Sequence, residues 1–152
     1  MSESPRTRAQ RRADVIAQLE GHEADAWVAT ASPAGVAHLV PLSFSWDGWV
    51  IVLAVEASSP TVRNVTATRR ARLGIGPTRD VAIIDVELAA VVAVAGAPTA
   101  LADQYATQTA WDPRLERGDY VFLSLRPRRI QAWREADELR DRLLMQDGDW
   151  LS

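Results

Sequence analysis

The sequence contains no lysine and no cysteine, and it has only two histidines and a single asparagine, Asn64. All 17 of its basic residues are therefore arginine. Without lysine there is no Schiff-base catalysis and no phosphate-binding loop of the G-x-x-x-x-G-K type. Without cysteine there is no disulfide framework, thiolate nucleophile, zinc–cysteine cluster or iron–sulfur cluster. His22 and His38 are too few for a histidine-rich metal site, so we expect no bound metal.

No stretch of the sequence has the length and apolar character of a targeting or membrane segment. Residues 1–12 carry four arginines, but no apolar secretory core follows them. The longest stretch without an acidic residue, arginine or histidine, residues 88–102, is shorter than the roughly 20 residues that a membrane helix needs. The formal net charge is −3 and the isoelectric point is about 5.4. These features predict a cytoplasmic globular protein that binds neither membranes nor nucleic acids.

Hydrophobic periodicity predicts one domain, residues 1–152, of the α+β class and mainly β. An amphipathic helix is predicted from Ser4-Pro5 to Gly21, inside an N-terminal segment of residues 1–22. Further helices are predicted to begin at Ser59-Pro60 and to span residues 99–111 and 135–142, the last within an acidic C-terminal tail of residues 135–152. Strands are predicted at residues 26–31, 36–46, 49–55, 70–76, 81–95, 120–125 and 129–133. This order predicts a closed antiparallel β-barrel with short peripheral helices.

The third predicted strand, residues 49–55 (WVIVLAV), is apolar on both faces. A strand in an antiparallel hairpin normally leaves one face in water. We therefore expect the barrel interior to cover one face of this strand, and a second subunit or a bound planar ligand to cover the other.

Few side chains are typical of a catalytic site. No G-x-S-x-G nucleophile elbow is present. His38 lies on a largely apolar strand, where a structural role is favoured over a catalytic one. Asp85 and Glu87 are either an acid–base pair or, as we favour, a solvated strand face. A cluster of arginines near the C-terminus either binds a phosphate or polycarboxylate or, as we favour, forms ion pairs: Arg126, Arg128, Arg129 and Arg134.

The sharpest local pattern is the start of the second helix, residues 59–64 (SPTVRN). It combines a capping hydroxyl, a proline at the first helical position and an arginine. Free backbone N–H groups at a helix start attract anions. The segment is therefore either an anion site, such as one for a flavin phosphate, or an ordinary capped helix.

Two blocks of sequence resemble the pyridoxamine-5′-phosphate-oxidase-like split barrels, specifically the actinobacterial branch that includes flavin- and deazaflavin-dependent oxidoreductases. The first is residues 29–65, with the order strand, turn, strand, Asp-Gly turn, strand and S-x-T-x-x-N on a short helix. The second is residues 120–135 (YVFLSLRPRRIQAWRE). Together they cover about a third of the chain. The resemblance implies a homodimeric, six-stranded antiparallel split β-barrel (an FMN-binding split barrel).

The resemblance also implies a cofactor, FMN or the deazaflavin coenzyme F-420, bound at the subunit interface. By position, the residues beside the edge of the isoalloxazine ring would be Pro41, Leu42 and Ser43. Those behind the ring would be Leu53, Ala54 and Val55. The phosphate would be held by Ser59, Thr61, Arg63 and Asn64. The second subunit would contribute Arg129 and Trp133.

The implied activity is that of an oxidoreductase that transfers a hydride from the reduced cofactor to a small organic acceptor. Weak candidates for a catalytic side chain are His38 and Ser43. Family members commonly have a lysine where this chain has Thr61. This departure favours an alternative, a non-catalytic protein that binds or carries a flavin, haem or other planar ligand. A third option is a flavin reductase that acts with a partner monooxygenase.

Overall fold

The computed structural model describes residues 4–152, which form three α helices and nine β strands. The helices are α1 (Arg8–Glu20), α2 (Pro60–Thr68) and α3 (Thr99–Thr109). The strands are β1 (Asp25–Ala31), β2 (Ala37–Ser43), β3 (Ser45–Trp46), β4 (Ile51–Glu56), β5 (Arg70–Ile75), β6 (Val81–Ala93), β7 (Tyr120–Trp133), β8 (Leu143–Gln146) and β9 (Asp149–Trp150). The first three residues of the predicted N-terminal segment, 1–22, lie outside the described part of the chain.

All the strands belong to one antiparallel sheet with the order β2-β1-β5-β6-β7-β4-β3, and the β8–β9 hairpin pairs with β7. The mainly β, antiparallel architecture agrees with the sequence prediction. The sheet is not the predicted closed barrel, because β2 and β4 do not pair with each other and the hydrogen-bonded sheet remains open. The two edge strands, β2 and β3, are separated in the chain only by the buried residue Phe44. The predicted strand 36–46 is thus two strands that pair with different neighbours, β1 and β4.

The main hydrophobic core lies between the curled halves of this sheet. Side chains from β1, β5, β6 and β7 meet there, among them Val28, Leu73, Ile84 and Leu123, each fully buried. Alternation of buried and exposed residues along β5 and the first half of β6 matches the predicted period of two. This core holds the strands that carry the site described below.

A second core covers the outer face of β4. Val52 and Ala54 point away from the main core and pack with Ala102 and Tyr105 of α3 and with Phe122 of β7. Helix α3 of the same chain therefore covers this face. The sequence prediction named only a second subunit or a planar ligand as the cover, because the sequence does not show which distant segment packs on a strand.

Two predicted boundaries also differ from the structure. Thr7, not Ser4, caps α1: its hydroxyl accepts a hydrogen bond from the backbone N–H of Gln10, whose side chain accepts one from the backbone of Thr7. Strand β7 is a single strand of 14 residues that runs through Pro127. Proline is tolerated there because the register of β6 and β7 shifts at this point, and Arg128 is the extra residue of the bulge.

The C-terminal region is more ordered than an acidic tail. Residues 136–138 form only a short 3-10 turn, where a helix over residues 135–142 was predicted. Residues 143–150 form the β8–β9 hairpin, which packs against α1 and β7. The carboxylate of Glu138 is buried and receives hydrogen bonds from the backbone N–H and the guanidinium of Arg6 and from the backbone N–H of Arg134.

Candidate ligand cleft

A cleft of about 520 Å³ lies where β2 and β4 end and α2 begins. Six of the twelve residues that the family resemblance assigned to the cofactor line it: Pro41, Leu42, Ser43, Ala54, Val55 and Ser59. The other lining residues are Asp25, Glu56, Tyr105, Trp111 and Tyr120. The cleft therefore combines the ends of two strands with an aromatic wall.

The aromatic wall consists of Tyr105, Trp111 and Tyr120. The ring centroids of Tyr105 and Trp111 are 6.2 Å apart, and those of Trp111 and Tyr120 are 5.6 Å apart, both edge-to-face. Tyr105 also packs edge-to-face on Phe122, with centroids 5.4 Å apart. Such contacts hold aromatic rings in fixed orientations. The wall is thus a preformed surface for a flat, apolar ligand.

The hydroxyl group of Tyr105 is directed toward the end of β2. It donates a hydrogen bond to the backbone carbonyl oxygen of Ser43 at 3.4 Å. Burial raises the pKa of Tyr105 to about 12, because the charged phenolate would lose its hydration. Tyr105 therefore stays protonated at neutral pH and remains a hydrogen-bond donor beside the cleft.

The rim of the cleft is acidic. The Ser43 hydroxyl donates a hydrogen bond to the Oδ1 atom of Asp25 at 2.9 Å. The exposed Glu56 adds a second carboxylate next to the start of α2. None of the arginines in residues 4–152 lines this cleft. An anionic group bound here would therefore depend on the backbone at the start of α2 and on arginines that lie outside the cleft.

At the start of α2, only one of the four predicted phosphate ligands lines the cleft. Ser59 caps the helix, and its hydroxyl accepts a hydrogen bond from the N–H of Val62 at 3.2 Å, which confirms the predicted helix start. The exposed Arg63 donates a hydrogen bond to the carbonyl oxygen of Ser58 at 2.6 Å. Thr61 is 1 % exposed, and the buried Asn64 donates its side-chain N–H to Thr30. The last two side chains face the protein rather than the cleft.

The remaining predicted residues lie away from the cleft. Leu53 is fully buried in the main core. His38 is half-buried on β2, opposite Thr30. Arg129 pairs in register with Asp85, and Trp133 lies at the far end of β7, opposite Val81.

Sequence reasoning did not find the aromatic wall. Tyr105 lies in α3 and Trp111 lies just after it, and this helix was predicted without a functional role. Tyr120 begins β7, about 65 positions after β4. One feature of the sequence could have identified them. A strand that is apolar on both faces must be covered by another part of the protein, and α3 was the predicted helix whose aromatic residues could cover it.

Solved structures with the same fold include several split barrels. A protein named F420 reductase superposes with a TM-score of 0.63 at 18% identity, with 75% of this chain and 93% of that chain covered. A pyridoxamine 5′-phosphate oxidase-like protein from Listeria innocua gives a TM-score of 0.61 at 13% identity, with 81% and 98% covered. The haem storage protein HutZ from Vibrio cholerae gives 0.61 at 9% identity, with 90% and 97% covered.

These likenesses support the coarser prediction, a mainly β antiparallel fold like that of the pyridoxamine-5′-phosphate-oxidase-like split barrels. The predicted count of six strands is not confirmed, because the sheet has nine strands and is open. The sequence itself matches no protein-family model and no curated protein. In residues 4–152 no helix is both long and apolar enough to cross a membrane. The same residues contain no cluster of three or more histidine and acidic side chains placed to hold a metal ion.

Proposed function

We propose that the protein is an oxidoreductase that binds FMN or the deazaflavin coenzyme F-420 in the cleft between β2, β4 and α3. The observation that carries this proposal is the cleft itself. Residues assigned from the resemblance alone, among them Pro41, Ser43 and Ala54, line one cavity together with three aromatic rings. We place the chain in the actinobacterial flavin- and deazaflavin-dependent branch of the split barrels.

The residues of the cleft fit the flat ring of such a cofactor. Ala54 and Val55 supply a small apolar floor, and Trp111 and Tyr120 supply a wall of the kind that receives planar ligands. The phosphate end would lie at the start of α2, where Ser59 and the exposed Arg63 are the nearest polar side chains of the predicted set. With threonine at position 61 and Glu56 at the rim, we expect the phosphate to contribute less affinity than the ring.

When bound, the reduced cofactor would supply the hydride, and the protein would supply orientation and hydrogen bonds. The hydroxyl groups of Tyr105 and Ser43 lie beside the ring site, and Tyr105 donates its proton to the carbonyl oxygen of Ser43. Asp25 fixes the Ser43 hydroxyl by accepting its hydrogen bond. Both hydroxyl protons therefore have acceptors within the protein, and both oxygens offer lone pairs to a ligand. The bond of Tyr105 is the longer, 3.4 Å against 2.9 Å, so Tyr105 is the donor that a ligand could redirect more easily.

Within the same proposal, two copies of the chain form a homodimer in the cytoplasm and act on a small organic substrate. Arg129 and Trp133 would then reach the cofactor from the second copy, since neither lines the cleft of its own chain. Analytical ultracentrifugation tests this arrangement directly, and a monomer at micromolar concentration would contradict it.

The proposal is tested by titrating the purified protein with FMN and with F-420 while the fluorescence of the cofactor is followed. Pro41→Trp, at an exposed position that lines the cleft, narrows the cleft and should weaken binding. Ala34→Trp, on the exposed turn between β1 and β2, is the matched control and should bind normally. If neither cofactor binds at micromolar concentration, the oxidoreductase proposal fails.

A second candidate is a binding or carrier protein for haem or another planar ligand. It is favoured by the shared fold with a haem storage protein. A Soret band after addition of haem would support it. Binding of a flavin without hydride transfer to enones or quinones would also favour a carrier.

A further inference from the structure

A larger groove, of about 960 Å³, lies on a different part of the sheet. It is formed by β1 and the turn after it, the end of α2, β5 and β6. It shares no lining residue with the cleft described above. Four arginines line it, Arg69, Arg70, Arg72 and Arg128, and we call it the arginine groove.

The register of the sheet extends this arginine cluster onto β7. Asp85 of β6 lies between Arg72 of β5 and Arg129 of β7. Residues directly opposite each other in an antiparallel pair share one face of the sheet. Their side chains therefore lie on the same surface, which the groove opens onto.

The next row of the sheet repeats this arrangement. Glu87 lies between Arg70 of β5 and Arg126 of β7. Arg128, the extra residue of the bulge, approaches Glu87 to 3.7 Å. Each carboxylate is thus surrounded by arginines on both neighbouring strands.

Two carboxylates cannot neutralise this cluster. Arg72 makes a two-pronged contact with Asp85, at 2.6 and 3.1 Å. Arg69 donates a hydrogen bond to the carbonyl oxygen of Leu88 at 3.1 Å. The side chain of Arg70 has no hydrogen bond or ion pair to any residue within 4–152.

Arg126 and Arg129 are likewise unpaired within the described part of the chain. Six arginines face two carboxylates, an excess of four positive charges in a chain whose net charge is −3. Like charges held this close repel one another unless an anion lies between them. The cluster therefore has unused capacity to bind an anion.

We propose that the arginine groove binds a multivalent oxyanion, a ligand with at least two phosphate or carboxylate groups. Arginine binds both groups through paired N–H donors. Arg70 and Arg72 are two positions apart on one strand, which separates them by about 6.5 Å. A single phosphate, with a charge of about −2, offsets at most half of the excess of four positive charges, whereas a ligand with two or more anionic groups can match it. Of the six arginines, only Arg129 also has a place in the function proposed above, and the four that line the groove have none.

Isothermal titration at low salt with orthophosphate, pyrophosphate, tripolyphosphate and citrate tests the proposal. Affinity should rise by about tenfold or more from orthophosphate to tripolyphosphate, and it should fall steeply with added salt. Comparison of tripolyphosphate with citrate shows whether phosphate or carboxylate groups are preferred. Absence of binding by all the multivalent anions at millimolar concentration would overturn the proposal.

Variants distinguish specific binding in the arginine groove from nonspecific attraction of anions to surface arginines. Arg70→Ala should weaken tripolyphosphate binding by about tenfold. Its circular dichroism spectrum should match that of the parent protein, because the side chain of Arg70 is exposed. Arg117→Ala, which removes an exposed arginine from the loop before β7, should leave binding unchanged. Asp85→Asn should strengthen binding, because it removes a negative charge and releases Arg72. Equal losses in Arg70→Ala and Arg117→Ala would contradict the site.

Discussion

The side-chain amide of Asn64 donates a hydrogen bond to the hydroxyl oxygen of Thr30 at 3.1 Å, and both side chains are buried. The two residues are 34 positions apart in the sequence. Their hydrogen bond attaches α2 to β1, beside the main core. The single asparagine of the chain thus has a partner within the fold, although the family resemblance assigned it to a phosphate.

We predict that Asn64→Ala lowers the free energy of unfolding by about 1–3 kcal/mol, because it leaves the buried Thr30 hydroxyl without its donor. Urea denaturation measures the change. Arg63→Ala, one position earlier on the exposed side of α2, should change stability by less than about 0.5 kcal/mol. A double-mutant cycle with Thr30→Val should show coupling of about 1 kcal/mol. A larger cost for Arg63→Ala than for Asn64→Ala would contradict this arrangement.

The parts of the fold that local chemistry determines were predictable from the sequence. Strict alternation identified β6, and the Ser59-Pro60 pair identified the start of α2. Pairing between distant segments was not predictable in the same way. The break at Phe44 arises because β1 and β4 each pair with one side of it, and the passage of β7 through Pro127 depends on a bulge.

The same distinction between local sequence and distant packing applies to the candidate site. The residues on β2 and β4 could be assigned because they lie in one continuous block that resembles a known family. Tyr105 and Tyr120 could not, because their place beside Ala54 depends on how α3 packs on β4. The burial of Thr61 and Asn64 could not be predicted either, since the sequence does not show which face of α2 packs against β1.

A buried ion pair connects the two ends of the described chain. The carboxylate of Glu138, 1 % exposed, accepts hydrogen bonds from Arg6 at 2.7, 2.8 and 3.1 Å. These bonds lower the pKa of Glu138 to about 2, mainly through the guanidinium of Arg6. A carboxyl group whose pKa falls on folding stabilises the protein above its ordinary pKa, and the stabilisation is lost as the pH falls from about 4.5 to 2.

We therefore predict that Glu138→Gln costs about 3 kcal/mol at neutral pH and flattens the loss of stability between pH 4.5 and 2. Urea denaturation at a series of pH values measures both effects. Glu135→Gln is the matched control, because Glu135 forms an exposed ion pair with Arg79 and should contribute less than about 1 kcal/mol. An acid transition of unchanged steepness in Glu138→Gln would show that other carboxyl groups control it.

Gly76 and Gly96 have nearly the same backbone conformation, with φ of +85° and +84°, but different surroundings. A Cβ atom at Gly76 would lie 2.6 Å from the carbonyl oxygen of Asp80 and 2.8 Å from the side chain of Gln18. No atom lies within 4 Å of the corresponding position at Gly96.

Substitution by alanine should separate backbone strain from steric overlap at these glycines. Gly96→Ala is expected to cost about 1–2 kcal/mol, the strain of a left-handed residue. Gly76→Ala should cost about 1–3 kcal/mol more, because the backbone between β5 and β6 must shift. Thermal unfolding of the two variants measures the difference. Equal destabilisation would mean that the turn before β6 is wider than the structure shows.

The final prediction concerns the ionisation of Tyr105. Because burial raises its pKa from 10 to about 12, the neutral phenol is favoured in the folded state. A tyrosine whose pKa rises on folding stabilises the protein fully below pH 10, and this stabilisation is lost as the pH rises from 10 to about 12. The chain has two tyrosines, Tyr105 and Tyr120, so a titration of absorbance at alkaline pH can be assigned by substitution.

In the folded protein, the phenolate absorbance that develops near pH 12 should disappear in Tyr105→Phe and persist in Tyr120→Phe. Circular dichroism at each pH identifies the range in which the protein is still folded. Tyr105→Phe should also show less loss of stability between pH 10 and 12 than the parent protein. Because Tyr105 forms part of both the α3 cover and the wall of the cleft, occupation of the cleft by a planar ligand should move this titration to still higher pH. A titration of Tyr105 at its ordinary pH would mean that α3 does not cover β4 in solution.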